Sequence, residues 1–134
     1  MTDHELMRLA IEARAFSYAP YSHFHVGAAL LGKSGRVYTG CNVENAAFSP
    51  TNCAERTAIF KAVSEGEREF TAIAVVGGSG ETLSPLCAPC GVCRQVLSEF
   101  CNGDFRVILG TPQHLQVTTL TDLLPYAFDK QNLT

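Results

Sequence analysis

Four of the chain's six cysteines lie in two short stretches, TNCAERTAIF at 51–60 and LCAPCGVCRQ at 86–95. In the second stretch, Cys90 and Cys93 have the C-x-x-C spacing that lets two sulfurs reach one metal ion. Cys53 is the natural third ligand, because it also stands at the predicted start of a helix. Unpaired N–H groups and the positive end of the helix dipole favour thiolate there, the form that binds zinc. The sequence therefore predicts a three-cysteine zinc site with one Zn²⁺ per chain.

Three protein ligands would leave one position on the metal open. An open position is typical of a catalytic zinc site, whereas a structural site is normally closed by four protein ligands. Water bound in that position loses its proton near neutral pH. Glu55 follows Cys53 by two residues on the same first helical turn, where its carboxylate could take that proton and pass it to a substrate. Three thiolates around Zn²⁺ leave a net negative charge, which the guanidinium of Arg56 could offset.

The same cysteines allow other interpretations. A structural zinc module would need a fourth ligand, for which Cys41, Cys87 and Cys101 are candidates, although each also fits an ordinary buried position. CAPCGVC has the C-x-x-C-x-x-C spacing of iron–sulfur ligation but lacks the C-P that follows it. CGVC alone could be a redox pair, which leaves CAE unexplained. Alone, Glu55 would be a first-turn residue favouring the helix dipole, and Arg56 a solvated helix residue.

The elements that must position these residues alternate between helix and strand. A capping box of Thr2 and Glu5 predicts a first helix that stops before Pro20. FHVGAALL and RVYTGCNVE form a predicted hairpin around GKSG, and FTAIAVVGG is a strand apolar enough to be buried on both faces. FRVILG and LQVTTL are further strands, and LTDLLPYAF contains a short last helix. With helices at 53–65 and 91–101, the order α-β-β-α-β-α-β-β-α predicts an α/β domain of two or three layers.

Length, charge and the N-terminus narrow the classes of function. The 134 residues suggest a single domain, 1–134, and the net charge of −3 argues against a nucleic-acid partner. No apolar run approaches membrane-spanning length, so we expect no membrane partner. MTDHELMRLA lacks the basic start and apolar core of a signal peptide. We therefore expect a cytoplasmic protein, whose cysteines serve metal binding, catalysis or packing rather than disulfides.

CAE followed by PCGVC resembles the signature of the zinc deaminases of nucleosides and nucleobases, which is H-x-E followed by P-C-x-x-C with a three-cysteine variant. The resemblance extends over nearly the whole chain, since YAPYSHFHVGAALL, GCNVENAAFSPTNCAERTAIFKAVSEG and SPLCAPCGVCRQVLSEF are similar to the small homotetrameric cytidine deaminases. It implies a three-layer α/β/α fold with a central mixed five-stranded sheet. It also implies hydrolysis of cytidine and 2′-deoxycytidine to uridine and 2′-deoxyuridine with release of ammonia, a step of pyrimidine salvage. Another aminated nucleoside or base as substrate, or a non-catalytic zinc-stabilised binding module, stays an alternative.

The resemblance also implies roles for single residues near the metal. Cys53, Cys90 and Cys93 match the zinc ligands of the family. Glu55 matches its catalytic proton shuttle, and Arg56 matches the arginine that neutralises the thiolates.

Further matches concern the substrate. Asn42 and Glu44 match residues that bind the ribose hydroxyls, and positions two apart on an extended segment share a face. Phe24 matches an aromatic wall of the pocket, although it could also be an ordinary core residue. The backbone of Ala54 matches a contact to the pyrimidine. Phe128 matches an aromatic that reaches a neighbouring subunit's site, so the resemblance implies a homotetramer with active sites completed across subunits.

Three more positions lie near the implied subunit interface or the metal loop. Tyr21 matches an interface residue close to the active site. Phe48 stands where many members carry tyrosine, which removes a hydroxyl near the sugar or the interface. Cys87 adds a thiol to the loop that precedes the ligands.

Overall fold

The fold is seen in a computed structural model that describes all residues from 1 to 134. Its helices and strands are α1 (Asp3–Arg14), β1 (Phe24–Gly32), β2 (Val37–Cys41), α2 (Ala54–Ser64), β3 (Phe70–Ser79), α3 (Gly91–Phe100), β4 (Arg106–Thr111), β5 (His114–Thr119), α4 (Leu120–Leu123) and a final 3₁₀ turn (Lys130–Leu133). The order of helices and strands agrees with the sequence prediction. No helix combines the length and the apolar character that a membrane crossing requires.

The five strands form one mixed sheet in the order β2-β1-β3-β4-β5. β1 pairs antiparallel with β2 and β3, and β4 pairs antiparallel with β5. The one parallel pair, β3 with β4, needs a crossover, and α3 provides it. The loop that carries the second cysteine stretch is the first half of this crossover, so it leaves the sheet where β3 ends.

Helices cover both faces of the sheet, which confirms the three-layer α/β/α prediction. On β3, Ala72, Ala74 and Val76 pack in one buried cluster with α1, because alternate residues of a strand point to opposite faces. Ile73 and Val75 join a second cluster with the apolar residues of α2 and α3. β3 is therefore buried on both faces, as its continuous apolar run predicted.

The prediction for RVYTGCNVE was too long, because β2 ends at Cys41. At that point β2 lies beside the beginning of β1, and the Asn42 side chain takes the place of the backbone hydrogen bonds between the two strands. Its amide bonds to the backbone N–H of Val26 and the backbone carbonyl of Phe24. Val43 then makes only isolated bridges, to Tyr18 and to Asn52 on the approach to α2. This irregular segment brings the loop after α1 next to the start of α2.

Candidate active site

The starts of α2 and α3 meet at three cysteines. Cys53 and Cys90 are the N-cap residues of the two helices, and neither side chain caps its own helix. The Sγ atoms of Cys53 and Cys90 are 3.8 Å apart, and those of Cys90 and Cys93 are 3.5 Å apart. Zn–S bonds of about 2.3 Å at tetrahedral angles separate two sulfurs by about 3.8 Å. The three cysteines therefore fit a single zinc ion.

The cluster contains three protein ligands, and its sulfur atoms all lie within 4.8 Å of one another. Cys41, Cys87 and Cys101, the sequence candidates for a fourth ligand, lie outside it. Burial raises the pKa of Cys87 to about 11 and that of Cys101 to about 12, so both stay as neutral thiols. A ligand set of three matches an open zinc site better than a closed structural one.

Cys53 is the cysteine of the cluster whose pKa is lowered. A hydrogen bond from the Cys93 thiol lowers the pKa of Cys53, and the nearby Arg56 lowers it further. The same pairing raises the pKa of Cys93. Arg56 donates from Nη2 to Cys53 Sγ at 3.2 Å, while its buried Nε has no hydrogen-bond partner. The guanidinium is thus held against the sulfurs, where it can offset the charge of three thiolates around a divalent ion.

Glu55 projects from the first turn of α2 and is only 4% exposed. Burial raises its pKa to about 7, and the charge of Cys53 acts in the same direction. Glu55 lines a cavity of about 210 Å³ together with Cys53 and Cys90. A carboxyl group with a pKa near neutrality can both accept and donate a proton at physiological pH.

The cavity draws its wall from the start of β1, the segment after β2, the start of α2 and the loop before α3. Its lining residues are Phe24, Val26, Asn42, Thr51, Asn52, Cys53, Ala54, Glu55, Cys87, Ala88 and Cys90. Three of the residues expected to contact substrate, Phe24, Asn42 and Ala54, thus share one cavity with the cysteines and Glu55. Its volume is below the ~300–1,000 Å³ of drug-sized pockets, which suits a small planar group.

Glu44 lies apart from Asn42, in a second cavity of about 310 Å³ whose walls include Tyr21, Phe48 and Thr51. The sequence placed Asn42 and Glu44 on one face, and the structure divides them between two cavities. Thr51 lines both, so the cavities are neighbours. The irregular backbone at 42–44 explains the division, because the two side chains do not follow a regular strand.

The loop after α1 holds Glu44 in place. Glu44 Oε1 accepts hydrogen bonds from the backbone N–H groups of Tyr21, at 3.0 Å, and Ser22, at 3.1 Å. Its other carboxylate oxygen accepts a bond from the Ser22 hydroxyl. The Ser22 hydroxyl is the main reason why the pKa of Glu44 is lowered. Glu44 is therefore a fixed anion with remaining lone pairs, suited to accept hydrogen bonds from hydroxyl groups.

Three aromatic residues expected near a subunit interface are exposed. Tyr21 and Phe48 pack edge to face, with ring centroids 6.4 Å apart and planes at 70°. Their exposed fractions are 49% and 75%, and that of Phe128 is 60%. Phe128 lines neither cavity of its own chain, and its carbonyl accepts a hydrogen bond from Gln95 on α3.

Sequence reasoning missed several residues that the structure places at the site. Ser17 bonds to Asn42, Ser22 bonds to Glu44, and Thr51 lies between the cavities. Cys87 was noted only as an extra thiol, yet it lines the cavity with Glu55. The signal for the serines was weak. A small polar loop, SYAPYS, follows α1, and loop residues that serve a site look like ordinary turn residues until their partners are known.

A three-layer α/β/α domain with a cysteine cluster and a buried glutamate at two helix starts defines the class of zinc-dependent deaminases. Residues 1–111 match the family described as the cytidine and deoxycytidylate deaminase zinc-binding region, and the chain belongs to this family. Its predicted cofactor, zinc, and its predicted status as an enzyme are thereby confirmed.

Individual relatives narrow the comparison. The chain is 51% identical over 135 residues to a cytidine deaminase of Sporosarcina psychrophila, covering 100% of this chain and 96% of that protein. It is 52% identical over 129 residues to a cytidine deaminase of Halalkalibacterium halodurans, covering 96% and 95%. A crystal structure of cytidine deaminase from Burkholderia pseudomallei superposes with a TM-score of 0.88 at 50% identity, covering 96% of this chain and 100% of that chain.

Proposed function

We propose that this enzyme hydrolyses the exocyclic amine of cytidine and 2′-deoxycytidine, giving uridine or 2′-deoxyuridine and ammonia. The observation that carries the proposal is Glu55, a buried carboxyl with a pKa of about 7 in the same cavity as Cys53 and Cys90. The names of the two relatives at 51% and 52% identity support cytidine as the substrate. We place the whole activity in one domain, 1–134.

The chemistry divides between the metal and the chain. When bound by Cys53, Cys90 and Cys93, zinc supplies an acidified water as the nucleophile. Glu55 takes a proton from that water and delivers it to N3 of the cytosine, which makes C4 more electrophilic. After the hydroxide left from that water has added to C4, Glu55 would take the proton of the new C4 hydroxyl group and pass it to the amino group, so that ammonia leaves as the carbonyl forms. Burial suits Glu55 to this double role, because a carboxyl with a pKa near 7 releases and regains protons easily.

The chain's other residues would orient the nucleoside. Phe24 would form an aromatic wall for the base, and the backbone of Ala54 would contact the pyrimidine. Asn42 and Glu44 would bind the sugar hydroxyls from the two neighbouring cavities. Arg56 would hold the cysteine cluster at a charge that still allows zinc to act as a Lewis acid.

Assembly would complete the site. We propose a homotetramer, in which exposed Tyr21, Phe48 and Phe128 contact neighbouring subunits and Phe128 enters a neighbour's cavity. Phe48 would serve this contact without the hydroxyl group that a tyrosine would add. The cytoplasmic location and the absence of nucleic-acid and membrane partners stay predictions from the sequence.

The test is to mix the purified enzyme with cytidine and follow ultraviolet absorbance as cytosine becomes uracil. Zinc per chain is measured on the same sample. Turnover with about one zinc per chain supports the proposal. A folded, zinc-loaded sample that leaves cytidine and 2′-deoxycytidine intact would overturn it and direct the search to other aminated nucleosides or bases. If those too were untouched, a binding module would be the better interpretation.

A further inference from the structure

We propose that Ser17 and His25 are positioning residues for the substrate, because they form a directed hydrogen-bond chain that fixes the side-chain amide of Asn42 at the cavity wall. The inference rests on the proposed function, since the amide of Asn42 meets a nucleoside only if the cavity binds one. It adds two residues to the site that neither the metal nor the proton transfer requires.

The amide of Asn42 is almost saturated by the protein. Asn42 is 9% exposed and lines the cavity. Its Oδ1 accepts hydrogen bonds from the Val26 backbone N–H at 2.9 Å and from the Ser17 hydroxyl at 2.5 Å. Its Nδ2 donates to the Phe24 carbonyl at 2.8 Å. Since a backbone N–H can meet only the amide oxygen and a carbonyl only the nitrogen, the orientation of the amide is unambiguous.

One hydrogen-bonding capacity of Asn42 is left for a ligand. An asparagine amide offers two lone pairs and two N–H groups, and the three contacts above use both lone pairs and one N–H. The remaining Nδ2–H is therefore a donor at the cavity wall. Asn42 can only recognise a substrate atom that accepts a hydrogen bond, such as a sugar oxygen.

The contacts also set the direction of the chain. Asn42 Oδ1 only accepts, so the single hydroxyl proton of Ser17 must point to it. His25 Nδ1 lies 3.0 Å from Ser17 Oγ. Because the Ser17 proton is already used, Nδ1 must be the donor in this contact, and the neutral ring must carry its proton on Nδ1. The hydrogen bonds are therefore donated in one direction, from His25 to Ser17 and from Ser17 to Asn42.

Backbone hydrogen bonds hold His25 and Asn42, the two ends of the hydrogen-bond chain. Arg14, at the end of α1, donates from Nε to the His25 carbonyl at 2.9 Å and from Nη2 to the Gly78 carbonyl at 2.7 Å. The Tyr18 backbone N–H donates to the Asn42 carbonyl at 3.0 Å. The end of α1 is thus tied to β1 and β3, and the loop that follows it is tied to the Asn42 segment. A chain anchored in this way orders the free Nδ2–H before substrate arrives, which lowers the cost of binding.

The first test is kinetic and uses the zinc-loaded enzyme. Ser17→Ala removes the hydroxyl and should raise KM for cytidine about 3- to 10-fold, the effect of one neutral hydrogen bond, with kcat and zinc content unchanged. Ser17→Thr keeps a hydroxyl and should restore KM. Ser34→Ala is the matched control. Ser34 lies in the distant hairpin turn between β1 and β2, and its hydroxyl also donates to a side-chain oxygen, that of Glu67. An unchanged KM in Ser17→Ala, or an equal rise in Ser34→Ala, would overturn the proposal.

A second arm compares cytidine with analogues that each lack one sugar hydroxyl. For the analogue that lacks the acceptor of the Asn42 N–H, Ser17→Ala should cause no further rise in KM, because the contact is already gone. An equal rise for every analogue would mean that the substitution acts through general structure, and would also overturn the proposal.

The third arm needs no substrate. Nitrogen-15 spectra of histidine-labelled enzyme, recorded at a pH where the rings are neutral, should show His25 protonated on Nδ1. His25→Asn identifies the signal, because the spectrum of that variant lacks the His25 resonances. A proton on Nε2 would make His25 Nδ1 the acceptor of the bond with Ser17, and this would overturn the inference. A wild-type enzyme with the expected tautomer and no activity on cytidine would instead count against the proposed function.

Discussion

Two carboxylates in neighbouring cavities have different pKa values because their local environments differ. Burial raises the pKa of Glu55 to about 7, whereas a hydrogen bond from the Ser22 hydroxyl lowers the pKa of Glu44. One group is therefore suited to move protons and the other to stay charged and accept hydrogen bonds. The residue types alone do not show these opposite pKa shifts, since both residues are glutamates.

Glu55→Gln should keep the fold and the zinc and lower kcat by about 10²- to 10⁴-fold, because an amide cannot shuttle protons. Turnover of cytidine and zinc per chain, measured together, check this expectation. Glu99→Gln on the exposed surface of α3 is the matched control and should be silent. A zinc-loaded Glu55→Gln enzyme with wild-type turnover would remove Glu55 from the mechanism.

Cys53→Ala should reduce the zinc content strongly, because only two of the three sulfurs would remain. Metal analysis of the purified variant is the measurement. Cys41→Ala serves as the comparison, since Cys41 lies outside the cluster and its variant should keep about one zinc per chain, the value of a single-metal site. Full metallation of the Cys53 variant would contradict the ligand assignment.

At the scale of elements, the site depends on how closely α2 lies on β2. A Cβ added at Gly40 would collide with the backbone of α2, at the Ala54 carbonyl and the Ala58 amide. The first turn of α2 carries Glu55, and its N-cap is Cys53. A glycine in a strand thus allows the helix to come close enough for its first turn to reach the cavity.

Gly40→Ala should therefore destabilise the protein by roughly 1–3 kcal/mol, the usual cost of overpacking, and weaken zinc binding at the same time. Denaturant unfolding and a competition titration with a zinc chelator measure the two effects. Gly35→Asn is the control, because Gly35 has open space around its Cα but a φ of +94° that strains any side chain, so this variant should lose stability while zinc binding stays tight. Tight zinc binding in the Gly40 variant would show that α2 can shift without disturbing the ligands.

At the scale of the whole molecule, the metal joins elements that are far apart in sequence. Cys53 opens α2, which precedes β3 in the chain, and Cys90 opens the crossover helix, which follows β3. Zinc should therefore stabilise the folded state as a ligand that the unfolded chain binds poorly. Removing it with a chelator should lower Tm, and adding zinc back should restore Tm. If Cys53→Ala lost as much Tm on chelation as the wild type, the stabilisation would come from another metal site.

Subunit mixing tests whether neighbouring chains complete the site. Phe128→Ala should lower activity in a pure assembly, and Glu55→Gln should lower it by about 10²- to 10⁴-fold. Mixed after dissociation and reassembly, the two should recover part of the activity, because a Glu55 site can then receive Phe128 from its neighbour. Light scattering should give four times the chain mass of 14.5 kDa. No recovery in mixed tetramers would place Phe128 in its own chain's site or outside any site.

The sequence by itself determined the residues of the chemistry and the order of the elements. The informative patterns are local, because they are set by spacing along the chain. They are the cysteines at two helix starts, the glutamate in the first turn of one of those helices, and the apolar strands that alternate with helices. They were enough to predict an α/β domain of two or three layers, and to name Cys53, Cys90, Cys93 and Glu55 as candidates, whereas the three-layer fold with a mixed sheet was implied by the family resemblance.

The tertiary structure alone decided what surrounds those residues. It ended β2 at Cys41, put Asn42 and Glu44 into separate cavities, and brought Ser17 and Ser22 from the loop after α1 to hold them. Such contacts join positions more than 20 residues apart, and no spacing rule relates them. Burial likewise exists only once the chain is packed, so the shifted pKa of Glu55 is a property of the fold rather than of the sequence around it.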